Sequence, residues 1–217
     1  MKLLKKILIP VACILSAFNL LIIIFYSPLI PEQEWAQKIF YYHVPLAWNF
    51  FFAYLMAMVY SGLYLKTRKM NYDIVALAWA ETGTLFCLLV LITGPIWATP
   101  IWGKPWTWEP RLTSTLIIFI IYLIYFMVRE FSETFEKSMR FSAIISILAF
   151  IDVPIIYFAV DMWAPELQAH PSRNTISESS EIIQYLFLFS LICFTILLFA
   201  IVNFRINIEK KLRSKYV

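Results

Sequence analysis

The chain has 217 residues, of which 61% are hydrophobic and only 15% are charged. Soluble domains carry about 25% charged residues, so this composition excludes an ordinary water-soluble domain and indicates that lipid is the solvent. The net charge of +4 is small, and it gives little support to nucleic-acid binding.

Six segments are apolar over a length that can cross the ~30 Å hydrocarbon core of a bilayer, which takes about 20 helical residues. None has the alternating pattern of a transmembrane β-barrel strand. The sequence therefore predicts an all-α polytopic membrane protein, a bundle of six transmembrane helices that forms a single domain over residues 1–217. In chain order, the predicted spans are 7–30, 39–65, 74–98, 112–128, 141–160 and 182–204.

The first span begins MKLLKKILIPVACILSAF and imitates a secretory signal peptide. Its apolar run continues well past Cys13, and neither a small-residue cleavage site nor a polar mature sequence follows. We therefore expect a retained transmembrane helix. Cys13, Cys87 and Cys193 each lie within a span and form no C-x-x-C pair, which is typical of buried apolar thiols.

The basic residues are distributed unequally between the two sides of the predicted membrane. Six spans place both termini on one side, and that side holds all but four of the 18 Lys and Arg. Because positive residues concentrate in cytoplasmic loops, we expect both termini in the cytoplasm. The four basic residues on the opposite side are Lys38, Lys104, Arg111 and Arg173. The outward-facing segments are 31–48, 99–113 and 161–181.

The two histidines of the chain, His43 and His170, both lie in outward-facing segments. Neutral imidazole is the commonest protein ligand of metals, and haem iron accepts two imidazoles as axial ligands. A hydrogen-bonded histidine near a membrane interface needs no metal, however. From these residues alone, axial ligation of one haem and a purely structural role both stay open.

Four of the eight tryptophans fall within twelve residues around the second outward-facing segment. Tryptophan belts are common at membrane interfaces, but belt residues normally cap helix ends, whereas three prolines interrupt this segment. Its rings offer a flat aromatic surface that would suit a porphyrin, and nearby cations would pair with the propionates. The aromatic candidates are Trp97, Trp102, Trp106 and Trp108, and the candidate cations are Lys104, Arg111 and Arg173.

Two acidic residues, Glu81 and Asp152, lie within predicted spans. Ionisable groups inside a membrane are candidates for a functional site. A proton path would need a chain of such groups, and only these two are present. We therefore favour a structural role, in which each carboxyl group bonds to a neighbouring helix.

Three motifs, in order along the chain, resemble one known family. The run WGKPWTWEPRLTS (102–114) resembles the tryptophan-rich "WWD" motif of the haem-handling proteins of cytochrome c maturation. YYHVPLAW (41–48) resembles the H-V-P-x-A-W segment of that family. DVPIIYFAVDMW (152–163), followed by LQAHP, resembles its segment with the second histidine. The length and the six-helix plan are most similar to the CcmC-type member, since the CcmF and CcsA types carry more helices and histidines.

This resemblance implies that His43 and His170 are the axial ligands of a haem b held without covalent attachment while in transit. It also implies an outer platform for the porphyrin around the tryptophans. As a hypothesis from the charges alone, Arg111 with Lys104 or Arg173 would hold the propionates. In the family motif an aspartate stands where this chain has Glu109, so the carboxylate is displaced by one methylene. The implied platform residues are Trp97, Trp102, Gly103, Trp106, Trp108 and Arg111.

The resemblance further implies a function and partners. CcmC-type proteins work in the bacterial cytoplasmic (inner) membrane with the haem site facing the periplasm. They act with the CcmA and CcmB subunits of an ABC transporter and the small helper CcmD, and they place haem on the chaperone CcmE. Such a protein transfers a ligand and is not an enzyme. Two other classes stay open on the residues alone: a b-type cytochrome or quinone-linked electron carrier, and a permease subunit for a small solute.

Overall fold

The structure, a computed structural model, describes residues 2–31, 33–162 and 179–214. His170 and Arg173 therefore lie outside the described residues, as does most of the outward-facing segment 161–181. The described part contains no strand, and six of its helical stretches are long and apolar enough to cross a membrane. The predicted fold class is thus confirmed, while the cytoplasmic placement of the termini stays a prediction. The helices are α1 (Lys2–Tyr26), α2 (Gln37–Thr67), α3 (Met70–Trp102), α4 (Pro110–Phe131), α5 (Phe135–Ala149), α6 (Asp152–Met162) and α7 (Glu181–Arg213), with a 3-10 turn at Glu34–Ala36 before α2.

The fifth predicted span is divided between α5 and α6. The interruption falls at Phe150 and Ile151, where the amide of Val153 donates to the carbonyl of Phe150 at 3.1 Å. Pro154 causes it, because proline has no N–H to donate to the carbonyl four residues earlier and its ring crowds that carbonyl. α6 is therefore a separate helix, and residues 163–178 follow it in the sequence.

α3 continues four residues past the end of the predicted span 74–98, at the end of the bundle that carries the tryptophan segment (the outer end). It runs through Pro95 and Pro100 and ends at Trp102, so that two of the four clustered tryptophans are helical. Prolines are tolerated in transmembrane helices because neighbouring groups compensate for the missing backbone bonds. The irregular part of the tryptophan segment is consequently limited to residues 103–109.

α2 and α3 form the most extensive helix pair, and a stacked aromatic pair in the core joins α2 to α4. The rings of Tyr54 on α2 and Tyr122 on α4 are parallel within 4°, with centroids 3.9 Å apart, and both are fully buried. A Cβ atom on Gly83 would come within 2.9 Å of the Tyr54 ring. Glycine at this position therefore allows α3 to approach α2 closely enough to build the core.

The ends of α3, α4 and α7 opposite the tryptophan segment are joined by ion pairs that are buried or partly buried. Asp73, only 2% exposed, accepts two bonds of 2.8 Å from Arg129 and one of 2.8 Å from Arg213. About two turns earlier on α7, Arg205 binds both carboxylate oxygens of Glu81, at 2.6 and 2.7 Å. Glu81 thus bonds to a neighbouring helix, and these pairs fix the helices at one end of the bundle.

Candidate haem site

His43 lies near the outer end of α2, on the face that packs against α3. Its side chain is buried, and its Nδ1 atom is 2.9 Å from the hydroxyl oxygen of Thr93. A Cβ atom on the next residue, Gly94, would be 3.2 Å from Cε1 of the imidazole. The absence of a side chain at this position therefore gives the ring its place against the backbone of α3.

Trp97, one turn beyond Thr93, provides the aromatic neighbour of the imidazole. The two ring centroids are 5.5 Å apart, and the indole Nε1 donates to Oε1 of Gln33 at 3.3 Å. Trp102 continues the aromatic surface, with its ring centroid 6.3 Å from that of Trp97. Because residues spaced by three or four positions share a helix face, Thr93 and Trp97 both point towards α2.

The connection between α3 and α4 begins at Gly103, whose φ of +69° lies in the left-handed region. Its amide donates to the carbonyl of Thr99 at 2.9 Å and so ends α3. Glycine is the usual residue at such a helix end because it has no Cβ to strain the left-handed conformation. The turn directs the following residues back over the outer end of the bundle.

Trp106 and Trp108 lie in this connection and form an edge-to-face pair with centroids 5.8 Å apart. They differ in environment. Trp106 faces inward, and its indole nitrogen is buried without a hydrogen-bond partner in the part of the chain that the structure describes. Trp108 is 77% exposed. One ring therefore contributes to the interior of the site and the other to its outer surface.

Glu109 and Pro110 start α4. The Glu109 side chain is buried and its backbone carbonyl accepts the amide of Thr113 at 3.0 Å, while Pro110 occupies the first helical position. Proline suits this position because the amide it lacks would have no partner within the helix. The carboxylate lies at the positive end of the helix dipole, which favours its negative charge.

Arg111 joins α4 to α6. Its guanidinium donates from Nε to the carbonyl of Ile156 and from Nη2 to the carbonyl of Tyr157, both at 3.3 Å. Lys104 is exposed at the surface of the connection. Of the three candidate cations, Arg111 is thus the one that the described residues place inside the bundle.

A cavity of about 310 Å³ lies between these elements. This volume is at the lower end of the range of small-molecule sites, about 300–1,000 Å³. Its walls are largely apolar and come from α2, α3, α4, α6 and the start of α7. Four of the predicted site residues line it, namely His43, Trp97, Trp106 and Arg111. Trp102 lines a small adjoining pocket together with His43 and Trp97.

The structure therefore brings together one predicted ligand, the helical tryptophans, Trp106 and one cation. Gly103 and Glu109 shape the backbone around this group, while Lys104 and Trp108 lie outside the cavity wall. Sequence reasoning missed Thr93, Gly94 and Gln33. The one available signal was Gly94, because the chain has only four glycines and one followed by proline inside an apolar span indicates close packing.

A family model described as "Heme exporter protein C", CcmC, matches residues 1–216. The chain belongs to this family. The match covers nearly the whole chain and agrees with the motif resemblance, which is confirmed.

Curated relatives carry related names. A "Putative cytochrome c biosynthesis ccmC-like mitochondrial protein" of Marchantia polymorpha is 33% identical over 83% of this chain and 72% of its own length. The heme exporter protein C of Bradyrhizobium diazoefficiens is 36% identical over 61% of this chain. That of Escherichia coli K12 is 28% identical over 64% of this chain. The matched regions span only 50% and 56% of these two bacterial relatives.

Proposed function

We propose that this protein binds haem at the outer face of the membrane and delivers it for the maturation of c-type cytochromes. The observation that carries the proposal is the placement of His43 in the wall of an apolar cavity, with Trp97 beside it. Membership in the heme exporter protein C family supports haem as the cargo. It also favours haem delivery over the electron-carrier and permease alternatives.

In this proposal His43 and His170 are the two axial ligands of a haem b that is bound without a covalent link. The chemistry of the cavity fits such a cargo. Its apolar lining and indole rings suit the porphyrin face, because aromatic rings in contact contribute about 0.5–1.5 kcal/mol beyond the burial of their area. The second ligand belongs to the segment that follows α6, and Arg111 holds α6 against α4.

The haem propionates need cations at the rim of the site. Arg111 lines the cavity and would pair with one propionate, since a guanidinium matches a carboxylate geometrically. Lys104 and Arg173 are the other candidates for this role. In this proposal Arg111 therefore has two roles: it holds α6 against α4, and it neutralises the charge of a haem propionate.

A site at the outer end of the bundle suits a cargo that has to leave again. Trp108, exposed on the connection above the cavity, offers an apolar contact for a docking chaperone. We propose a chaperone of the CcmE type as the acceptor, with CcmA and CcmB as ABC-transporter subunits and CcmD as the small helper. The bacterial inner membrane, with the site facing the periplasm, is the location that this function requires.

The optical spectrum of the purified protein tests the proposal. His43→Ala and His170→Ala should each abolish the six-coordinate haem spectrum while the protein still inserts and elutes as one species. Added imidazole should restore part of it, because a free ligand can replace the missing side chain. Six-coordinate haem retained without added imidazole in either variant would reject the ligand assignment. Purified wild-type protein that takes up no haem at all would reject the function.

A further inference from the structure

The hydroxyl oxygen of Thr93 lies within hydrogen-bond distance of two groups, the carbonyl oxygen of Leu89 at 2.8 Å and Nδ1 of His43 at 2.9 Å. A threonine hydroxyl carries one proton, a carbonyl oxygen can only accept it, and an imidazole nitrogen can either accept or donate. Both contacts become hydrogen bonds at the same time only when the hydroxyl donates to Leu89 and accepts from a protonated Nδ1 of His43.

A neutral imidazole protonated at Nδ1 carries its available lone pair on Nε2. Histidines that bind metals almost always donate their other ring N–H to a protein acceptor, which fixes the tautomer and orients the ring. We propose that Thr93 is the positioning residue of the haem ligand: it holds His43 in the Nδ1-protonated tautomer and so prepares Nε2 for iron. This inference rests on the proposed function and deepens it, since it assigns the ligating nitrogen.

Two further contacts define the orientation of the same ring. Gly94 brings bare backbone close to Cε1, the carbon between the two nitrogens, so that an added Cβ would lie 3.2 Å from it. Trp97, which is on α3 like Gly94, has its ring centroid 5.5 Å from that of the imidazole. The imidazole is therefore positioned by little more than one turn of α3, through Thr93, Gly94 and Trp97. A hydrogen bond sets the tautomer, and packing sets the ring plane.

The chain offers a matched control on the same helix. Thr99, six residues after Thr93, also donates its hydroxyl to the carbonyl four residues earlier, that of Pro95, at 2.8 Å. Thr99 is exposed, and a spacing of six residues places it on a different face of α3 from Thr93. Thr93→Val and Thr99→Val therefore remove the same local bond to the helix backbone, but only the first removes the acceptor for the imidazole.

The tautomer can be measured without haem. Full-length protein labelled with ¹⁵N-histidine gives signals from only two imidazoles, and His170→Gln identifies which belong to His43. At a pH where the ring is neutral, the wild type, Thr93→Ser and Thr99→Val should show a protonated Nδ1 and an unprotonated Nε2. Thr93→Val should shift His43 towards the Nε2-protonated form. Should this variant not fold, Thr93→Ala, which also lacks the acceptor and is smaller, replaces it.

Haem titration then links the tautomer to binding. Thr93→Val should weaken haem affinity by about 10- to 100-fold, the usual effect of losing the partner of a metal-bound histidine, and should change the midpoint potential of the iron. Thr93→Ser should restore both, and Thr99→Val should leave both unchanged. A wild-type His43 protonated at Nε2, or a Thr93→Val variant with unchanged tautomer, overturns the inference. Failure of the wild type to bind haem would instead overturn the proposed function and leave the tautomer result standing.

Discussion

Arg111 of α4 donates from its guanidinium Nε to the carbonyl of Ile156 on α6, at 3.3 Å. This bond connects the tryptophan segment, whose last residues start α4, with the helix that precedes the second predicted ligand. It is reinforced by the bond from Nη2 to the carbonyl of Tyr157. The two predicted halves of the haem site are thereby linked through one side chain in the described part of the chain.

Replacing Arg111 with Lys should weaken this link. A lysine keeps the positive charge but cannot present the planar, forked set of donors that binds two neighbouring carbonyls. We expect faster hydrogen exchange of the α6 amides and haem binding weaker by on the order of tenfold, since bonds to charged groups contribute about 1.5–3 kcal/mol. Arg68→Lys, on the connection between α2 and α3 at the other end of the bundle, is the control. Unchanged exchange in α6 would contradict the role of Arg111 in holding that helix.

Gly94→Ala should impair haem binding through sterics alone. The new Cβ would lie 3.2 Å from Cε1 of His43, so the imidazole would have to move by a few tenths of an ångström. We expect haem affinity to fall while the helix content stays unchanged. Gly62→Ala on α2 is the matched control, because a Cβ there meets nothing within 4 Å and alanine stabilises a helix interior by roughly 0.5–1 kcal/mol. Equal haem affinity in the two variants would show that the packing around His43 tolerates a side chain at position 94.

Asp73→Asn should destabilise the bundle without changing the haem spectrum. The substitution leaves Arg129 and Arg213 buried without their shared carboxylate, and breaking such a buried pair costs about 3–5 kcal/mol. Asp73 and Thr93 are twenty residues apart on one helix, roughly 30 Å at 1.5 Å per residue, so the site should not sense the change directly. The apparent melting temperature should fall by several degrees.

The exposed pair of Lys137 and Glu133 provides the control for that experiment. Their side chains are 52% and 79% exposed, and exposed ion pairs contribute little to stability because water and salt screen them. Glu133→Gln should therefore leave the melting temperature nearly unchanged. A haem spectrum lost in Asp73→Asn at a temperature where the protein is folded would contradict the separation of the two ends of the bundle.

The six spans were predictable because lipid imposes a strong constraint: a segment must be apolar over its whole crossing length. Helix ends were less predictable, since the third span was predicted to end at residue 98, whereas α3 continues through Pro100 to Trp102. Pro154 does break a helix, between α5 and α6. The prolines of α3 and Pro154 differ in effect because of their tertiary surroundings. Neighbouring helices and side chains compensate for some of the lost backbone hydrogen bonds and not for others.

The candidate site was predictable only as a set of residue types. Histidine, tryptophan and arginine stand out in an apolar sequence, and the ordered motifs gave them roles. The contact of His43 with Thr93 joins residues 50 positions apart, and nothing in a single sequence indicates which of many hydroxyl groups meets an imidazole. The positions of His170 and Arg173 stay predictions, as they lie outside the described residues.

Trp108 offers a test of delivery that is separate from haem binding. Its ring is 77% exposed and lies edge-to-face against Trp106, so Trp108→Ala should remove an outer contact and leave the cavity wall intact. We expect haem binding to stay within a few-fold of the wild type, whereas transfer of haem to a purified CcmE-type apo-chaperone should slow by tenfold or more, because exposed tryptophans are frequent anchors of protein interfaces. Trp35→Ala is the matched control, since Trp35 is 54% exposed in the outward-facing segment before α2 and is not part of the cavity wall. Equal transfer rates in the two variants would show that the chaperone docks elsewhere, and a loss of haem from Trp108→Ala alone would assign the ring to binding instead of transfer.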